Sequence, residues 1–141
     1  MGHMGQQAYR LVQMSEGYLL AGRREDADDL AERACELARL HQERGTQAHA
    51  LRLCGEIAVC RMPLEIEPAK THYRQALTLA EELGMRPLGA HCHFGLGALY
   101  ARTGQAEQAH AELAAAIALY RAMDMTFWLP QAEAVLARVR G

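Results

Sequence analysis

The segment Leu96-Gly97-Ala98-Leu99-Tyr100-Ala101-Arg102-Thr103-Gly104, followed by Ala109, Leu113 and Ala116, decides the fold because an earlier segment repeats its spacing. Met14-Ser15-Glu16-Gly17-Tyr18-Leu19-Leu20-Ala21-Gly22, followed by Ala27, Ala31 and Ala34, matches it position for position. Between them, Cys54-Gly55-Glu56-Ile57-Ala58 with Ala69, Tyr73 and Ala76 fits the same frame if the turn around Pro63 is two residues longer. Self-similarity at a period of about 40 residues is the mark of a repeat architecture. The three units close at Arg44-Gly45-Thr46, Leu83-Gly84-Met85 and Met123-Asp124-Met125, where Gly or Asp is expected to take the left-handed conformation that stops a helix.

Within each unit the apolar period is helical and is broken once, at Gly22-Arg23-Arg24, Met62-Pro63-Leu64 and Thr103-Gly104-Gln105. Each unit is therefore a helical hairpin. Gly55 and Gly97 on first helices, and Ala27, Ala69 and Ala109 on second helices, let two backbones approach closely. The expected core is Leu11, Met14, Tyr18, Leu51, Cys54, Tyr73, Leu96, Tyr100, Leu113 and Ile117. A seventh helix, starting near Thr126 and carrying Phe127, Trp128, Leu129, Val135 and Leu136, is expected to cap the open end. Residues 6–141 form one domain, with units at 6–45, 46–84 and 85–124 and the cap at 125–140. Residues 1–5 read as an expression scar with a disordered start.

The chain has 141 residues, half of them hydrophobic, which suits one domain with a real core. Its net charge of -2 supplies no basic field for phosphate backbones, so no nucleic-acid partner is expected. Aromatics at 6%, with alanine throughout, exclude an all-β sandwich and favour an all-α fold. Cys35, Cys54, Cys60 and Cys92 occur singly and read as small buried residues of a reducing, cytoplasmic compartment. No stretch approaches the roughly 20 apolar residues of a membrane span.

Leu96, Gly97, Tyr100, Gly104, Ala109 and Ala116 resemble the tetratricopeptide repeat, and the likeness extends from about Gln6 to Arg138. It implies a right-handed superhelical solenoid of three hairpins plus a capping helix, with first helices lining a concave groove. The chain departs from the pattern at Leu11, Leu51 and His93, where tryptophan is frequent, at Ser15, where glycine is usual, and in units longer than about 34 residues. More narrowly, Leu83 to Leu88, His91 to Tyr100 and Tyr120 to Leu129 resemble the C-terminal repeats of large bacterial proteins with a cyclase-like domain and an ATPase module. That likeness implies a regulatory or assembly arm of a signalling protein.

The chemistry-bearing residues point to binding, not to catalysis. Gly95-Leu96-Gly97 lies inside a helix, where no free amides exist for phosphate, so its glycines read as close-packing contacts. His91 and His93 are two apart on a helix and face different sides, so neither a metal site nor a cofactor is expected. His93 and Cys92 are expected between helices. Asp28 and Asp29 read as surface partners of Arg33. No nucleophile elbow or other catalytic set is present, and the chain reads as a non-enzyme.

In the repeat frame the groove is lined by Tyr9, Val12, Glu16, His49, Arg52, Glu56, His91, Phe94 and Arg102. Arg52 and Arg102 suit a carboxylate, while Tyr9, Val12 and Phe94 suit apolar side chains of a protein or peptide partner. The alternative is a regulatory domain that binds a small ligand or a metal through the groove histidines. The first helix also carries Tyr9, Leu11, Val12, Met14, Tyr18, Leu19 and Leu20, more apolar surface than one stripe buries, which points to a homodimer through the first hairpin.

Overall fold

The computed structural model describes residues 2–140, with side chains from 7 to 139. Seven helices follow in order: α1 (Gly2–Leu20), α2 (Arg24–Leu40), α3 (Arg44–Val59), α4 (Ile66–Leu83), α5 (Arg86–Arg102), α6 (Ala106–Ala122) and α7 (Leu129–Arg140). Each packs on its neighbour in sequence, and α1, α3, α5 and α7 also touch one another in turn. The chain is thus a tetratricopeptide-like solenoid of three hairpins and a closing helix. Among the described residues no helix is long and apolar enough to cross a membrane.

The second helices bury one stripe with a shared register: Ala27, Ala31, Ala34 and Ala38; Ala69, Tyr73, Ala76 and Ala80; Ala109, Leu113, Ala116 and Tyr120. Steps of four, three and four residues keep these side chains on one face, and alanine brings the backbones close. The facing position on the first helix must then be small. A Cβ on Gly97 would lie 2.6 Å from Leu113 Cγ, and one on Gly55 would lie 3.0 Å from the Tyr73 ring. Ser15 holds the equivalent place in α1, where its buried hydroxyl donates to the Ala27 carbonyl at 2.6 Å. That bond satisfies the one polar atom that serine adds over glycine.

Helix ends follow one scheme. Gly22, Gln42, Gly84, Gly104 and Asp124 all have positive φ, and the next amide reaches back five residues: Arg23 to Tyr18, Glu43 to Ala38, Met85 to Ala80, Gln105 to Tyr100 and Met125 to Tyr120. These bonds satisfy carbonyls that a helix end leaves free. The scheme corrects one expectation, because Gln42 takes the left-handed position and Gly45 lies inside α3.

Other boundaries move as well. The α3–α4 connection spans 60–65 against 21–23 and 103–105 for its counterparts, but α3 also ends one residue sooner in the repeat frame, so the middle unit is longer by the two residues expected. Helix α7 starts at Leu129, because residues 126–128 form turns ahead of it and leave Phe127 exposed. Helix α1 already runs at Gly2, inside the stretch expected to be disordered. Met14 lies on the outer face of α1 and is exposed, while the other expected core residues are buried or partly buried. Asp28 pairs with Arg61 at 2.7 Å, tying α2 to the α3–α4 connection, so its expected pairing with Arg33 is not formed. Cys54 and Cys92 are buried, and desolvation raises both thiols to about 12, which makes them inert packing groups, whereas Cys35 is half-buried and Cys60, expected to be buried, is exposed just past the end of α3.

Candidate functional site

The first helices frame a half-open cavity of about 280 Å³ between α3, α5 and the turn ahead of α7. Its polar members are Arg52 and Glu56 from α3 and His91 and Arg102 from α5. Val59, Phe94, Ala98, Leu99 and Trp128 are apolar members of the lining. Tyr73 also reaches it from a second helix, passing between α3 and α5 where Gly55 and Gly95 present no Cβ. A Cβ on Gly95 would lie 2.5 Å from ring carbons of Tyr73, so that glycine is obligatory while the tyrosine is present. This is the close packing expected of the mid-helix glycines.

Arg52 is the electrostatic centre. Its Nη1 donates to Glu56 Oε1 at 2.9 Å, one turn along α3, and its Nη2 lies 3.9 Å from Glu16 of α1. Nε is buried with no partner, so one edge of the guanidinium is unsatisfied. Arg102 Nη1 donates to the Val59 carbonyl at 3.0 Å, capping the last turn of α3 and bridging it to α5.

His91 closes the other side. Its Nδ1 is 2.7 Å from the Tyr120 hydroxyl, and its ring meets Trp128 edge-on with centroids 4.7 Å apart. Phe94 meets Tyr120 edge-on at 6.3 Å. Burial, reinforced by Arg52 and His49, lowers the His91 imidazole to about 4, so it is neutral near pH 7. Burial first, then the Glu56 charge, raises the Tyr73 hydroxyl, and burial raises Tyr120. The site therefore offers neutral hydrogen-bonding groups on an aromatic wall, with charge only at its arginines and Glu56.

The structure brings together Arg52, Glu56, His91, Phe94 and Arg102 from the expected groove set. Glu16 and His49 lie beside Arg52 toward α1, where burial first, then Arg52, lowers the His49 imidazole. Tyr9 is an exposed residue of α1 outside the cavity. Val12 is not in the groove: it is buried in the cluster of Ala27, Ala31, Ala50 and Leu53, which joins the first hairpin to α3. There it packs at once on Ala27 and Ala31 of α2 and on Ala50 and Leu53 of α3. Tyr73, Tyr120 and Trp128 were absent from the expected set. Their signals were the glycines opposite Tyr73 and the placing of the chain's single tryptophan just after the third unit.

His93 does face away from His91, with its Nδ1 2.7 Å from Glu112 on α6, and Cys92 is buried between helices. Among the described residues no three His, Cys, Asp or Glu side chains converge as metal ligands.

No protein-family model matches the chain, and no curated protein matches it. Among solved structures it is similar to aspartyl phosphate phosphatase F from Bacillus subtilis, with a TM-score of 0.86 and 21% identity over 95% of this chain. The match covers 35% of that structure's own length, so this chain spans about a third of it. At this identity the likeness concerns the fold, and it supports the tetratricopeptide-like assignment of α1–α7.

Proposed function

We propose that the chain is a non-enzymatic protein-interaction module that seats an apolar side chain of a partner peptide in the concave cavity. The observation that carries this reading is the cavity itself, an apolar and aromatic hollow with a few convergent polar groups. It belongs to a regulatory or assembly arm of a larger bacterial signalling protein, a placement supported by the resemblance of its repeats and by a bacterial structure that shares the fold over part of its length.

A photo-reactive residue at position 94 is expected to cross-link one partner in cells of the source organism, whereas the same group at exposed Ala111 on α6 does not. Arg52→Ala with Phe94→Ala should weaken capture at least tenfold, since central aromatic and arginine anchors each cost more than about 1 kcal/mol when truncated. Unchanged capture with unchanged helicity moves the site elsewhere. The small-ligand alternative requires instead a stoichiometric adduct in native mass spectrometry of protein purified without a nickel column.

A second reading, a homodimer through the first hairpin, is favoured by the large apolar side chains that α1 leaves exposed, Tyr9 at 48%, Met14 at 49% and Leu20 at 91%. Burying such surface gains roughly 25 cal/mol per Å². Light scattering on a sizing column should show twice the chain mass at about 100 μM, a concentration at which a dissociation constant in the micromolar range gives mostly dimer. Met14→Glu with Leu20→Glu should return it to monomer. A monomer at that concentration rejects the dimer.

A further inference from the structure

A second hollow of about 320 Å³ lies on the other side of α5, framed by Ala98, Ala101, Arg102, Val135, Arg138 and Val139. It shares Ala98 and Arg102 with the first, so the two form one concave groove from α3 to α7. Its charge is one-sided. Glu56 is engaged by Arg52, whereas neither Arg102 nor Arg138 holds a carboxylate among the described residues. Glu133 of α7 is turned to Arg121 on α6. Over an apolar floor the groove thus presents Arg102 and Arg138 as cationic groups with no carboxylate partner among the described residues.

Spacing restricts the occupant further. Neighbouring packed helices lie about 8–10 Å apart, so hollows on either side of α5 are separated by about that distance. An extended chain in the polyproline II conformation rises about 3.1 Å per residue and projects every third side chain the same way, about 9 Å apart. A helical peptide would need a seven-residue interval for the same reach.

We infer that the groove binds an acidic extended peptide which places two apolar side chains, three residues apart, in the two hollows and sets its carboxylates on Arg102 and Arg138. This rests on the reading of the first cavity as a partner site and adds the partner's charge and spacing. Opposite charge across a rim chiefly sets specificity and encounter rate, so the preference falls with salt.

Trp128 is the only tryptophan and lines the first hollow, so its emission reports occupancy. The probes are two blocked peptides, Gly-Leu-Glu-Glu-Leu-Glu-Gly and the same sequence with lysine at each glutamate, titrated into the full chain at low salt. The acidic probe should shift Trp128 emission with a dissociation constant about tenfold below that of the basic one, and Arg102→Glu with Arg138→Glu should reverse the order. Arg138→Glu alone, at an exposed side chain, should narrow the difference if the double variant fails to fold. Equal responses to both probes overturn the acidic assignment while supporting an apolar groove. No response to either overturns the two-hollow peptide, and the cross-link at position 94 then decides the cavity separately.

Discussion

Tyr73→Ala is expected to lower the unfolding free energy by about 3–5 kcal/mol, the range for removing a fully buried aromatic side chain. Tyr73 is 1% exposed and fills the gap left by Gly55 on one side and Gly95 on the other. For a domain whose total stability is about 5–15 kcal/mol, that is about a fifth or more of the margin. Gly95→Ala should cost about 1–3 kcal/mol through overpacking, because its Cβ would sit 2.5 Å from the Tyr73 ring. In the Tyr73→Ala background the clash is gone, and the same change should gain up to about 1 kcal/mol from helix propensity. Urea unfolding of the four proteins in this cycle tests the argument. A coupling of about 2 kcal/mol is expected, and additive effects would show that Tyr73 is not the group that requires glycine at position 95.

Much of this packing is legible in the sequence because it is periodic. The step of four, three and four from Ala27, Ala69 and Ala109, and the glycines that face it, follow from one repeated unit and survive substitution of Ser15 by a local hydrogen bond. What breaks the period is harder to read. Gln42 is a left-handed residue without glycine's freedom, held there by the amide of Glu43 on the Ala38 carbonyl. Val12 has a groove register but is buried where α1 meets both α2 and α3. The cavity shows the same division: Arg52, Glu56, His91, Phe94 and Arg102 come from the register of the first helices, whereas Tyr73, Tyr120 and Trp128 arrive from other elements by tertiary packing. A frame that assigns faces helix by helix has no means of seeing a side chain that passes between two helices through a glycine gap.

Acid should destabilise the fold through the histidine in that cavity. In the unfolded chain His91 takes up a proton near pH 6.5, but in the fold burial, then Arg52 and His49, hold its pKa at about 4. Between those values the unfolded state binds more protons, so unfolding free energy falls as pH falls through this window. Above pH 6.5 both states are neutral and the full contribution is present. Burial, with Arg52 for His49 and Arg61 for His72, lowers two further histidines and adds in the same direction. For His91 alone the loss is of order 1–3 kcal/mol once its partial exposure is allowed for. His91→Gln removes the titrating group while retaining a side chain able to hydrogen-bond Tyr120. Its stability at pH 7 should be somewhat lower through imperfect packing against Trp128, but the drop from pH 7 to pH 4.5 should be smaller than in the parent protein. Urea midpoints at the two pH values give the comparison directly, and an equal drop in both proteins would mean that His91 is not held neutral by the cavity.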